Sequence, residues 1–191
     1  MRPWARFLIC GLAGIAAGAG AAVWNVRAGA WGSAARIGPW TTGTDYGTAE
    51  AGAYTRAVVA LRGLLALPRR EARYYNAAVD EAGRPLDGRC RYRVSGVEPG
   101  GSWWSLTLYD REGYLVQNEG GIYSVPSAAV APTERDSWSV MVAPNLQPGH
   151  WLPTGNRRRF ELTLRVYLPG DGGAGNLPRE RLPHIDRLGC P

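Results

Sequence analysis

Trp103-Trp104-Ser105-Leu106-Thr107-Leu108-Tyr109-Asp110 is the stretch whose reading decides the fold. Trp104, Leu106 and Leu108 fall on one side of an extended chain, because successive side chains in a strand point to opposite faces. Trp103 and Trp104 therefore point apart, so at most one is core. Asp110-Arg111-Glu112-Gly113 follows as a hairpin turn, with Gly113 free to adopt a left-handed conformation. Residues 114–116 then read as the returning strand. A second stretch matches the first. Phe160, Leu162, Leu164 and Val166 alternate with Glu161, Thr163, Arg165 and Tyr167, and Pro169 ends the run.

Working outward, the same period recurs. Cys90, Tyr92 and Val94 alternate with Arg89, Arg91 and Arg93. Residues 72–79 and 138–142 complete a set of about six short strands separated by turn signals, which predicts an antiparallel β-sandwich or jelly-roll. Residues 52–67 predict one packed helix, with Tyr54, Val58, Leu61 and Leu65 on one stripe and Pro68 as its terminator. The class is therefore mainly β, in an α+β arrangement. Residues 28–47, rich in Gly, Ala and Thr, read as a spacer leading into an extended segment. Residues 48–191 form the folded domain. The Gly-rich run 170–177 reads as a loose loop before the tail.

Residues 7–26 hold no charge, and twenty helical residues at about 1.5 Å each span about 30 Å, the thickness of a bilayer core. Residues 1–27 are thus a membrane or export signal. Arg2 and Arg6 precede the apolar run, which favours a cytoplasmic tail and an exported domain. A cleaved signal peptide is the alternative, with Ala19-Gly20-Ala21 as its small-residue cleavage site. The continuation through Val23, Trp24 and Val26 argues for the uncleaved anchor. Both readings place the domain outside the cytoplasm: periplasmic and anchored to the inner membrane, or released into the periplasm.

Charge excludes one class of partner. The formal charge is +6, and all 22 basic residues are Arg. Three of them flank the apolar segment, which leaves 19 against 16 acids. That is an ordinary surface, so no nucleic acid is expected. Cys90 and Cys190 are an even pair in an exported domain, which reads as a disulfide. The bridge is also expected to hold a tail with little else to anchor it. Two cysteines and two histidines far apart lack metal-ligand spacing, and no cofactor motif is present.

These motifs resemble the bacterial domain-of-unknown-function family 1214. Its members carry a Trp-Ser-Leu-Thr-Leu-Tyr-Asp strand, a Gly-x-Leu-Val-x-Asn return (Gly113 to Asn118 here), an Asn-Trp-Leu-Pro element and a Leu-Arg-x-Tyr-x-Pro strand. The similarity runs over about residues 38–190 and is greatest to short, singly membrane-anchored members. His150 stands where that family has Asn. The resemblance implies fold and location, and carries no activity.

Candidate site residues follow from side-chain chemistry. Arg165 interrupts an apolar strand and shares its outer side with Glu161, Thr163 and Tyr167. It suits a bidentate contact to a carboxylate or phosphate, with a structural ion pair or a solvated position as alternatives. Tyr109, Asn118, Tyr123, Trp151 and Tyr167 join it as an aromatic-walled, polar-tipped ligand face. His150 is the one side chain offering acid–base chemistry. His184, beside Pro183, reads as surface. Arg157-Arg158-Arg159 reads as an exposed turn, with anionic lipid or polysaccharide as the alternative. No Gly-x-Ser-x-Gly elbow or phosphate loop is present. The expectation is a non-catalytic envelope protein that binds a small molecule, a glycan or an envelope protein. A hydrolase-like enzyme using His150 is the alternative.

Overall fold

Inward-facing apolar side chains at alternate positions of three strands set the architecture. In β4 (Arg91–Gly96), Tyr92 and Val94 are buried between exposed Arg91 and Arg93. In β5 (Trp103–Asp110), Trp104 is 0 % exposed and Trp103 38 %. In β9 (Phe160–Tyr167), Phe160, Leu162, Leu164 and Val166 all enter the core. The computed structural model describes residues 3–28, 34–43, 46–61, 67–155 and 157–191.

The remaining elements are α1 (Pro3–Ala28), β1 (Ala34–Ile37), β2 (Trp40–Gly43), α2 (Ala53–Leu61), β3 (Ala72–Ala77), β6 (Ser124–Pro126), β7 (Trp138–Ala143), β8 (Trp151–Pro153) and β10 (His184–Gly189). They build a six-stranded sheet, β1-β2-β3-β9-β5-β6, and a four-stranded sheet, β10-β4-β7-β8. Pairings are antiparallel except for β7 with β8. The expected mainly β sandwich is thus the observed fold, with a mixed second sheet.

Aromatic pairs join the two sheets. Trp104 on β5 stacks on Trp138 of β7 with centroids 4.7 Å apart, and Tyr92 on β4 meets Phe160 of β9 edge-on at 5.7 Å. Such pairs contribute about 0.5–1.5 kcal/mol beyond their buried area. The Trp138 indole donates to the Val97 carbonyl at 2.9 Å. The buried Trp104 indole N–H has no acceptor among the described residues.

Several sequence expectations need correction. Residues 34–43, read as spacer and extended segment, form β1 and β2 of the six-stranded sheet. The helix is confirmed over Ala53–Leu61, but Thr55 is its buried residue among those described, Val58 is half-buried and Tyr54 is 40 % exposed. Leu65, the end of the expected stripe, lies outside the described residues. Residues 114–116 do not return as a strand. One isolated bridge, Tyr109 to Leu115, forms instead, and β6 is the true partner of β5. The Asp110 turn itself is as expected: its carboxylate accepts the N–H of Glu112 (3.1 Å) and Tyr114 (2.8 Å).

The tail is better anchored than its sequence suggests. Cys90 and Cys190 are bridged, with Cα atoms 4.1 Å apart, as expected. β10 also runs along β4, and Leu182 and Ile185 are buried. Trp40 donates to the Pro183 carbonyl at 2.8 Å. Glu81 accepts from Arg179 (2.6 Å) and from the Ile185 N–H (3.2 Å). Asp80 accepts from Arg84 Nε at 2.9 Å. Arg187 Nε lies 3.1 Å from the same carboxylate, without the alignment of a hydrogen bond.

The Gly-rich run is also tied down. Buried Arg73 places Nη2 at 2.6 and 2.7 Å from the two Asp171 oxygens, Arg69 donates to Asn176 at 2.7 Å, and the Leu177 N–H donates to the Tyr75 hydroxyl at 2.8 Å. Gly173 needs its missing side chain, because a Cβ there would lie 2.8 Å from the Arg69 backbone.

α1 has a different character. Phe7, Leu8, Ile9, Leu12, Ile15, Val23 and Trp24 are all exposed. A helix apolar around its circumference, which meets α2 but leaves its apolar stretch unburied, suits an apolar medium. It is long and apolar enough to cross a membrane, as an anchor or as a signal sequence.

Candidate functional site on the outer face of the six-stranded sheet

β9 lies between β3 and β5, so its outward residues sit at the centre of the sheet's outer face. The register aligns Tyr74, Arg165 and Ser105 in one row, and Asn76, Thr163 and Thr107 in the next. Tyr167 lies opposite Trp103, with ring centroids 5.3 Å apart. The face is polar yet largely covered: Asn76, Ser105, Thr107 and Thr163 are buried. Thr163 donates to the Asn76 side-chain oxygen at 2.8 Å, so each satisfies the other.

Arg165 is the organising charge. Nη1 donates to the Thr107 hydroxyl at 3.2 Å and Nη2 to the Tyr109 hydroxyl at 2.7 Å. The guanidinium carbon stands 5.3 Å from the Tyr109 ring centroid, within cation–π range. Both acceptors are neutral, and Arg165 forms no ion pair among the described residues. A guanidinium has five N–H donors, and two are used. Neighbouring Tyr74 has its hydroxyl pKa pushed up by burial and lowered by the backbone bond from Leu67; Tyr167 raises it slightly, and Arg165 opposes.

The adjoining cleft, between Asn76, Tyr109, Asp110 and Thr163, encloses about 40 Å³. Ligand pockets run to about 300–1,000 Å³, and one water needs about 10–15 Å³. This face is therefore suited to docking a group on a surface, not to enclosing a molecule.

Of the expected ligand face, Tyr109, Arg165 and Tyr167 come together. Trp151 does not. It pairs with Met141 on the four-stranded sheet, where Tyr92, Val142 and Leu152 face inward, so Trp151 faces out from the opposite side of the sandwich. Its indole donates to the Ala143 carbonyl at 3.1 Å. Asn118 is committed to its own loop, donating to the Val116 and Ile122 carbonyls and accepting the Ile122 N–H. The Tyr123 hydroxyl donates to Gln117 at 3.2 Å. His150 lies 3.8 Å from a Glu134 that is itself largely exposed, a surface contact. Exposed His184 lies 3.1 Å from Arg179 through Nδ1. Among the described residues, no three His, Cys, Asp or Glu gather as metal ligands. Asn76, Thr107 and Tyr74 belong to the face and escaped the sequence reading. A polar or aromatic residue at an alternating position signals only that it faces away from the core.

A solved structure of a Vibrio protein agrees with this architecture. A crystal structure of the VPA0106 protein from Vibrio parahaemolyticus aligns with TM-score 0.58 and 21% identity over 73% of this chain and 36% of that one. A crystal structure of an uncharacterized protein from Burkholderia cenocepacia aligns with TM-score 0.42 and 19% identity over 62% and 29% of the two chains. This chain spans about a third of the length of the Vibrio protein, and the likeness concerns fold alone. No curated protein matches. The family described as "Protein of unknown function (DUF1214)" matches residues 71–171, which carry β3 to β9 and the whole of the Arg165 face. That match takes in more than half of the sequence, and this protein belongs to the DUF1214 family.

Proposed function

We propose that this protein is a non-catalytic binding module of the cell envelope, held at the inner membrane by α1 with its sandwich in the periplasm. The sandwich docks an anionic group of a small molecule, glycan or envelope protein on its Arg165 face. The observation that carries this reading is the state of Arg165: a guanidinium fixed on Thr107 and Tyr109, with no counter-ion among the described residues. A charge-assisted hydrogen bond from such a group is worth about 1.5–3 kcal/mol, or roughly 10- to 150-fold in affinity. Tyr109, Trp103 and Tyr167 supply flat apolar surface beside it.

The test is a ligand screen by thermal shift on the full chain in detergent, with small carboxylates, acidic sugars and sugar phosphates. A hit should lose at least tenfold in affinity in Arg165→Ala, with melting of the unliganded protein little changed. Equal binding by the variant removes the site. Intact mass decides the anchor, since cleavage after Ala21 would remove α1 up to that residue. A reporter fused after Pro191 should be active only outside the cytoplasm.

A further inference from the structure

The ladder between β5 and β9 ends at Asp110 opposite Phe160. The next residues, Arg111 and Arg159, leave the sheet side by side. Like charges in such cross-strand positions oppose folding. Neither arginine forms a hydrogen bond or ion pair among the described residues, and both are exposed. They line a cleft of about 330 Å³, the size of a small-ligand site. Ala78, Val79, Pro85 and Phe160 are its apolar walls, with Val79 and Pro85 bridged to one another. Glu161 also lines it and is engaged in a contact of its own.

We propose that this cleft is a second site, for a phosphate monoester attached to an apolar chain. Two arginines lining one cleft match a dianion, and planar N–H forks suit phosphate oxygens. The chain lies along Val79 and Pro85, which otherwise leave apolar surface open to water. The site lies at the other end of β9 from Arg165, six residues of extended chain or about 20 Å from Arg159, and Arg111 and Glu161 also line the smaller cleft beside Tyr109.

The test uses the full chain in phosphatidylcholine nanodiscs, titrated by calorimetry with butyl phosphate, inorganic phosphate and butanol. Butyl phosphate should saturate a single site at least tenfold more tightly than inorganic phosphate, and butanol should not bind. Arg111→Ala combined with Arg159→Ala should weaken butyl phosphate at least tenfold without lowering Tm. Val79→Asp should remove the advantage of the alkyl chain, and Arg165→Ala should leave the advantage of butyl phosphate over inorganic phosphate in place. Adding phosphatidic acid to the nanodiscs distinguishes the sources. Competition with butyl phosphate marks a lipid headgroup in the same membrane, and unchanged binding marks a soluble ester. The proposal is overturned by an absence of saturable binding, by equal affinity for both phosphates, or by unchanged binding in the double variant. Loss of the preference for butyl phosphate in Arg165→Ala alone would assign the ligand to the Arg165 end of the sheet and overturn it equally.

Discussion

Replacing Cys190 with Ser separates what the disulfide contributes from what the C-terminal strand contributes. The bridge closes a loop over a sequence separation of 100 residues. Chain entropy gives such a loop at most about 4.7 kcal/mol, exerted on the unfolded state. Domains of this size hold about 0.05–0.15 kcal/mol per residue, so the variant should remain folded. With a urea m-value of about 2 kcal/mol/M, the midpoint should fall by up to about 2.4 M. Near-ultraviolet circular dichroism is the assay, because the Trp104–Trp138 stack reports the core and not α1. The native tail should stay in place regardless, since β10 pairs with β4 and Ile185 is buried. Trypsin should therefore cut Cys190→Ser after Arg181 and Arg187 no faster than it cuts exposed sites of the folded oxidised protein. Cleavage at those arginines at the rate of an unstructured peptide, with the core signal intact, would refute the reasoning. The bridge would then be the tail's sole anchor.

Three further outcomes follow from the packing. The Asp87 carboxyl is held down at about 2, chiefly by the side-chain hydrogen bonds of Arg89. A depressed carboxyl contributes stability above its unfolded pKa and loses it as pH falls through the folded value. The gap between wild type and Asp87→Asn, under about 1 kcal/mol for so exposed a pair, should be constant above pH about 5 and close between about 4 and 2. Acid titration of both melting curves checks this, and a gap that widens toward acid would contradict it. Gly173→Ala meets the Arg69 backbone at φ +84°, whereas Gly172→Ala, at φ +63°, meets nothing within 4 Å. The left-handed backbone costs each variant about 1–3 kcal/mol, so the contact with Arg69 should make the loss in thermal melts larger at 173, and equal losses would deny that the Gly-rich run is docked. Arg73 is buried with an unsatisfied Nε, so Arg73→Met should retain or gain Tm while Asp171→Asn lowers it; the reverse order would contradict the ion-pair reading.

What was legible in the sequence follows from how each element is stabilised. β4, β5 and β9 alternate over six to eight residues, and each carries its own core face in its pattern. β8 and β6 have three residues each, too few for a period to register. β10 buries only Ile185, and side chains from residues 80–84 hold it as much as its own pattern does. The docking of the Gly-rich run depends on Arg69, Arg73 and Tyr75, about a hundred positions upstream. Arg165 is legible because it interrupts an apolar strand, and the fold sets it against Tyr109 and on the same side of β9 as Tyr167. Trp151 was misplaced for a definite reason. A strand's pattern tells which residues face the core, but not which sheet it joins.

The outer face of an antiparallel sheet can simply be wet, and a wet face does not require an ordered charge. Holding an arginine in one rotamer costs about 1.5–2 kcal/mol of side-chain entropy. Hydrogen bonds to two neutral hydroxyls and one ring contact offset that cost within the fold. Folding thus fixes Arg165 in advance, so an incoming anion does not have to order it again. A solvated arginine serving solubility would have no use for such an arrangement, and a structural one would be paired with an acid. His150 has neither property: its carboxylate neighbour is distant and exposed. Binding through the prepositioned guanidinium is therefore the reading to test before any acid–base chemistry.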